Sequence, residues 1–118
     1  MQALSRITIA PQVMGGKLYS SHMKPSIALV ERHDAVRNAA ARFRTANPRV
    51  FGSVLHGTDR DGSDLDLLVD ALPGATLFDL GGLQVELEQL LGVPVDVVTP
   101  GDLPLKIRDQ ILTEARPL

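Results

Sequence analysis

The sequence predicts an α/β or α+β fold in which helices cover a small β-sheet, and three observations lead to this prediction. The length of 118 residues fits one domain, and a hydrophobic content of 44% fits a globular core. Apolar residues recur at three- and four-residue steps in three separate segments, as in amphipathic helices. Short apolar or alternating runs bounded by turn residues separate those segments. The resulting order, helix–strand–turn–strand–helix–strand–helix, is typical of helices packed on a sheet.

The first half of the chain is predicted to form one helix and one short strand. Ser26 is the expected N-cap, and apolar residues continue at helical spacing as far as Phe43. Pro48 is incompatible with a helix interior, so the helix is expected to end just before it. Residues 49–51 then predict a strand, and the polar, glycine-containing stretch 54–62 predicts a turn.

The second half predicts two strands and two helices. Residues 65–70 alternate Leu and Asp before an apolar pair, which favours a strand. Residues 76–91 carry leucines at helical spacing, and Gly92 is placed to end that helix. Residues 95–98 predict the third strand, and residues 103–115 predict a closing helix.

Residues 1–22 differ from the rest of the chain. They contain no acidic residue and show no sustained period, and they include Pro11 and the pair Gly15-Gly16. Segments of this kind at a terminus are usually loose. We therefore expect a leader, a tag or a mis-assigned start over 1–22, and one domain over 23–118; an ordered N-terminal arm is the alternative.

Composition and charge exclude several classes of function. No run of about 18 apolar residues exists, so no membrane association is expected. The absence of Cys excludes disulfides and thiolate chemistry and suits a cytoplasmic location. Residues 51–118 carry four basic and twelve acidic side chains, which argues against direct nucleic-acid binding there. With three Phe, one Tyr and no Trp, the chain is also poor in stacking platforms for single strands.

Three aspartates are the candidates for metal chemistry. Asp64 and Asp66 are two residues apart at a strand entry, so their side chains should project from the same face. Two adjacent carboxylates repel each other unless a cation lies between them, and Mg²⁺ favours oxygen ligands. Asp96 lies in an otherwise apolar strand and completes a three-carboxylate cluster if that strand adjoins residues 65–70. A solvated acidic turn and a surface position for Asp96 on an edge strand are the alternatives.

The pair Gly52-Ser53 is the candidate for anion binding. It ends a strand and opens a turn or helix, where backbone N–H groups and a hydroxyl can face a phosphate. Gly57 permits a backbone conformation or a close approach that a side chain would prevent. An ordinary tight turn is the alternative interpretation.

These residues together resemble a known signature. Gly52-Ser53, Gly57 and the run Ser63-Asp64-Leu65-Asp66-Leu67 are similar in spacing and order to the motif of the DNA polymerase β-like nucleotidyltransferases. Within that superfamily the chain resembles a minimal nucleotidyltransferase over about residues 26–116. The resemblance implies a small mixed β-sheet with helices packed on one side.

The resemblance also implies a role for each motif residue. Asp64 and Asp66 would hold Mg²⁺, and Asp96 would be a further ligand that helps to deprotonate the acceptor hydroxyl. Gly52 and Ser53 would contact the β- and γ-phosphates of ATP. The nucleotide would also contact His56, Gly57 and Ser63. His56 is a departure, because many members of the superfamily carry Arg at this position; a loop histidine without a role is the alternative.

The short chain suggests that the acceptor is another protein, since no second domain is present to cradle a small substrate. The resemblance implies an antitoxin that transfers AMP from ATP to a hydroxyl of a HEPN-type toxin. Two alternatives stay open: a non-catalytic module that inhibits its partner by contact, and a small-molecule nucleotidyltransferase that needs a second subunit. A homodimer is a further option that the sequence leaves open.

Overall fold

The computed structural model describes residues 24–118, so the leader predicted over 1–22 lies outside the described residues. The described chain contains five helices and four strands, together with a 3-10 turn at Pro100–Asp102. The helices are α1 Pro25–Glu31, α2 His33–Arg42, α3 Gly52–His56, α4 Leu77–Leu91 and α5 Leu105–Glu114. The strands are β1 Thr45–Phe51, β2 Leu65–Ala71, β3 Val95–Val98 and β4 Arg116–Pro117.

The strands form one mixed sheet in the order β3-β2-β1-β4, with β2 and β3 parallel and the other pairs antiparallel. One face of this sheet carries the core. Alternate residues of β2, namely Leu65, Leu67 and Val69, are fully buried there. They pack with apolar side chains from α1, α2 and α4 in a single cluster. The predicted fold class, a small mixed sheet with helices on one side, is therefore confirmed.

The first helix is divided where the sequence predicted one continuous helix. Arg32 adopts φ −122° and ψ 25°, outside the helical region, and separates α1 from α2. The prediction of Ser26 as N-cap is also wrong, because Lys24 holds that position and Pro25 begins the helix. The backbone N–H of Ser26 instead donates to Asp59 Oδ2 at 2.9 Å, so a distant carboxylate caps this helix.

Strand β1 begins four residues earlier than predicted, and Pro48 lies inside it. The register with β2 shifts between Ala46 and Arg49, which marks a bulge at Asn47-Pro48. A bulge accommodates Pro because Pro has no N–H to give to the ladder. Asn47 takes a positive φ of 53° at this bulge. The two-residue strand β4, which was not predicted, pairs with β1 on its other side.

Helix α4 both packs on the sheet and covers its β3 edge. Thr76 and Asp79 form a capping box at its start, and Gly92 ends it at φ 72°, as predicted. Glu88 Oε2 and Gln84 Oε1 accept hydrogen bonds from the backbone of β3, which protects an otherwise open edge. None of the helices in residues 24–118 combines the length and apolar character needed to cross a bilayer.

Candidate functional site

Two of the three candidate aspartates are neighbours across the parallel strands. Asp66 of β2 pairs in register with Asp96 of β3. Because Leu65 and Leu67 point into the core, Asp66 projects from the opposite face of the sheet. Asp64 precedes β2 and is exposed, whereas Asp66 and Asp96 are half-buried. The sheet therefore brings Asp66 and Asp96 side by side near one end of β2, on the face away from the core, and Asp64 lies just before that strand.

The electrostatics of this cluster concentrate on Asp66. Burial raises the pKa of Asp66, and the charges of Asp96 and then Asp64 raise it further, to about 6. All three contributions act in the same direction. A positive charge near the Asp66 carboxylate would relieve this repulsion, which is the electrostatic condition for binding a cation.

Gly52 brings the anion-binding turn directly against Asp66. Its φ of 74° lies in the left-handed region, which favours glycine. A Cβ at this position would collide with the Asp66 carboxylate and would lie 3.2 Å from its Cγ. Glycine is therefore required here for two independent reasons, and the close approach places α3 beside the acids.

The other end of α3 is fixed by Gly57 and His56. Gly57 ends the helix at φ 71°, and no atom lies within 4 Å of the Cβ that it lacks. Glycine is therefore needed at position 57 for its backbone conformation. Close approach of another atom, the other possibility raised by the sequence, plays no part. His56 Nε2 contacts Glu114 Oε1 at 2.6 Å, which links α3 to the end of α5. Hydrogen bonds from Gln110 and His56 hold the pKa of Glu114 below its ordinary value.

Side-chain hydrogen bonds of Ser63 and Asp59, which the sequence did not predict, help to hold the loop between α3 and β2. Ser63 Oγ accepts the backbone N–H of Arg60 at 2.8 Å and so shapes the turn just before Asp64. Asp59 is buried, with 7% of its surface exposed, and accepts from Ser26. Burial raises its pKa, but the hydrogen bonds from Ser26 and the charge of Lys24 outweigh burial and hold the pKa below its ordinary value. A lone Asp in a polar stretch gives no sequence signal for such a contact.

The acids fit a Mg²⁺ site that water and substrate phosphates complete, and they do not form a cage built from protein ligands alone. Within residues 24–118, no three His, Asp or Glu side chains converge closely enough to hold a metal ion by themselves. Mg²⁺ does not require such a cage, because it commonly uses one or two carboxylates and completes its shell with waters and substrate phosphates. Asp66 and a neighbouring acid, beside an anion-binding turn, provide this kind of donor set.

Comparison with known proteins identifies relatives of this chain. The sequence profile of the nucleotidyltransferase domain matches residues 35–118, which include every candidate site residue. A relative from Methanocaldococcus jannaschii, provisionally named protein adenylyltransferase MJ0435, is 41% identical over 66 residues. The match covers 56% of this chain and 71% of the relative.

Two of the solved structures that match this chain illustrate the shared fold. One, provisionally described as a minimal nucleotidyltransferase, superimposes with a TM-score of 0.74 at 47% sequence identity. The match covers 83% of this chain and 99% of that one. The other is a toxin–antitoxin crystal structure with AMP-PNP, with a TM-score of 0.56 and 22% identity over 69% of this chain and 70% of that one. At that identity, the second likeness concerns the fold alone.

Proposed function

Because the chain belongs to the nucleotidyltransferase domain family and is a nucleotidyltransferase enzyme, we propose that it moves AMP from ATP to a hydroxyl group of a partner protein. We propose further that the partner is a HEPN-type toxin, that the reaction depends on Mg²⁺, and that transfer silences the toxin in the cytoplasm. The name of the Methanocaldococcus jannaschii relative supports a protein as the acceptor, and the description of the structure with the same fold makes a toxin the first candidate for that protein.

The residues of the chain have distinct tasks in this reaction. Gly52 and Ser53, at the start of α3, hold the β- and γ-phosphates through backbone N–H groups and the Ser53 hydroxyl. Asp66 and Asp64 would hold Mg²⁺, which would neutralise phosphate charge and help to orient the triphosphate. Asp96 accepts the proton of the acceptor hydroxyl, whose oxygen bonds to the α-phosphorus. The bond between the α-phosphorus and the bridging oxygen breaks, and pyrophosphate leaves.

One observation carries this proposal: Gly52, which directly follows β1, lies against the side chain of Asp66 in β2. This contact supports the proposal because the N–H groups proposed to hold the leaving phosphates then lie beside the acids that would hold the metal. A module that only blocks its partner by contact has no need of a glycine packed on a half-buried carboxylate. It also has no need of a second acid in register with that carboxylate, because the repulsion between the two acids costs stability.

Co-expression with the candidate toxin tests the proposal. The double variant Asp64→Asn, Asp66→Asn keeps side-chain volume and removes the charge that binds metal. It should still bind the toxin, because a stable interface buries on the order of 800 Å² per partner, well beyond three acids. We expect it to fail to restore growth, while wild type restores it. Full rescue by the double variant would mean that contact is sufficient and would contradict the proposal.

A further inference from the structure

The outward face of α4 is apolar, although this helix lies at the surface of the protein. The exposed residues of the helix, which together form its outer face, are Leu77, Phe78, Gly81, Val85 and Gln89. Leu77 and Phe78 are 82% and 91% exposed, and Val85 is 54% exposed. A surface helix ordinarily turns charged and polar residues towards solvent, so a continuous apolar outer face indicates an interaction surface.

The outer face of α4 also carries no charge. The helix contains no basic residue, and each of its three acids is engaged elsewhere. Asp79 completes the capping box at the start of the helix, and Glu86 Oε2 lies 2.6 Å from Nη2 of Arg42 in α2. Glu88 Oε2 accepts the backbone N–H of Val95. Two copies of this face can therefore meet without placing like charges against each other.

Gly81 lies at the centre of the outer face, and packing within the chain does not require a glycine there. Nothing lies within 4 Å of the Cβ that Gly81 lacks, whereas a Cβ at Gly82 would lie 2.8 Å from the ring of Phe43. Glycine is less favourable than alanine inside a helix, so Gly81 weakens α4 without a return from its own fold. Such a glycine allows a second backbone to approach closely.

The outer face is symmetric about Gly81. Leu77 precedes Gly81 by four residues and Val85 follows it by four, so the three residues lie along one ridge of the helix. If two α4 helices cross antiparallel at Gly81, a two-fold axis brings Leu77 of each copy against Val85 of the other. Phe78, next to Leu77, enlarges both contacts. This is the self-complementarity that a two-fold dimer requires.

We propose that a second copy of this chain covers the outer face of α4, in a two-fold dimer whose α4 helices cross at Gly81. At their observed exposures, the three apolar side chains supply on the order of 400 Å² per copy. The dimer therefore buries about 800–1,000 Å² in total, which is at the low end for a specific contact. We expect a dissociation constant of about 10–100 μM, so the chain is mainly monomeric at about 1 μM.

This dimer leaves both candidate sites open. Helix α4 packs on the core side of the sheet through Leu83 and Leu87. Asp66 projects from the opposite side of the sheet, away from α4. The two sites of the dimer thus face outward, and each can receive its own acceptor. The dimer does not depend on the transfer reaction, so it is tested separately from the proposed function.

Sedimentation equilibrium of the full chain, at about 1–300 μM, tests the proposal with a charge cycle across the two-fold axis. Leu77→Glu and Val85→Lys each place a charge against an apolar side chain, and each should raise the dissociation constant about 10-fold or more. The combined variant places opposite charges against each other and should dimerise at least about 5-fold more tightly than either single variant. Leu105→Lys, at a position of α5 that is 79% exposed, is the matched control and should dimerise like wild type.

Disulfide trapping locates the crossing point, because the chain contains no Cys of its own. Gly81→Cys should form a covalent dimer under mild oxidation, since a disulfide needs Cα atoms within about 7 Å of each other. Gln89→Cys, eight residues further along the same face, should not, because antiparallel helices hold the two copies of that position about 24 Å apart.

Three results would overturn the proposal. The first is a wild-type chain that stays monomeric at about 300 μM; if removal of residues 1–22 then produced a dimer, that segment would be the occupant of the face. The second is a dimer whose dissociation constant is the same in wild type, Leu77→Glu and Val85→Lys. The third is equal trapping of Gly81→Cys and Gln89→Cys.

Discussion

Replacement of Asp66 by Asn should stabilise the protein when no metal or nucleotide is present. Burial and the charges of Asp96 and Asp64 raise the pKa of Asp66 from 3.8 to about 6. A change of this size corresponds to about 3 kcal/mol of unfavourable interaction in the charged form. Because the side chain is partly open to solvent, screening reduces the expected gain to about 1–2 kcal/mol. A small domain gains about 4–8 °C for each kcal/mol, so the midpoint should rise by at least about 4 °C.

The gain should depend on pH in one direction. A carboxyl whose pKa is raised in the folded state contributes stability at low pH and loses it as pH rises through the folded-state value. Wild type is therefore expected to lose this contribution between about pH 4 and pH 7, whereas Asp66→Asn has no proton to lose. The difference between the two proteins should be near zero at pH 4 and complete at pH 7.

Thermal melts in EDTA measure this effect, and Asp70→Asn is the matched control on the same strand. Asp70 Oδ1 lies 2.6 Å from a guanidinium nitrogen of Arg49, whose side chain is only 12% exposed. The same change from Asp to Asn should therefore lower stability there, by about 1 kcal/mol. A midpoint for Asp66→Asn at or below that of wild type at pH 7, or an equal gain at pH 4, would refute the electrostatic reasoning.

Further predictions concern the glycines and the ligand. Gly52→Ala should abolish Mg²⁺–ATP binding and lower the free energy of unfolding by about 2 kcal/mol or more, because the positive φ and the collision with the Asp66 carboxylate both disfavour a side chain. A thermal melt measures the loss of stability, and a calorimetric titration measures binding. Gly57→Ala places its Cβ in open space at positive φ and should lower the free energy of unfolding by only about 1 kcal/mol. An equal loss of stability for Gly52→Ala and Gly57→Ala would contradict this account. Gly81→Ala in α4 should raise stability by about 1 kcal/mol in a denaturant titration, since nothing lies within 4 Å of its Cβ. Gly82→Ala should gain nothing, since its Cβ would lie 2.8 Å from the ring of Phe43, and a gain equal to that at Gly81 would show the contact to be unimportant. Millimolar Mg²⁺–ATP should raise the midpoint of wild type by mass action, and an unchanged midpoint would argue against an assembled site.

The sequence predicted well the parts of the fold that local pattern determines. The alternation in β2 and the leucine spacing of α4, with Gly92 at its end, correspond to the elements observed. The juxtaposition of Asp66 and Asp96 was conditional on strand order, and the parallel pairing of β2 with β3 satisfies that condition. These features follow from side-chain periodicity and from the short βαβ connection, both of which are local.

The parts that the sequence did not predict depend on contacts between distant segments. The break at Arg32 has no Pro or Gly to signal it, and Asp59 caps α1 from 33 positions away. The start of β1 was placed too late because Pro48 usually ends a pattern, whereas here a bulge accommodates it. The pairing of His56 with Glu114 joins two unremarkable positions, and only the placement of β4 beside β1 brings them together.

Intact-mass spectrometry of the partner tests the central claim most directly. The candidate toxin is incubated with this protein, Mg²⁺ and ATP, and in parallel with the double variant Asp64→Asn, Asp66→Asn. AMP transfer predicts that the toxin gains the mass of one or more AMP units with wild type and none with the variant. A toxin that binds wild type but keeps its mass in the presence of Mg²⁺ and ATP would contradict the claim that this chain is a protein adenylyltransferase.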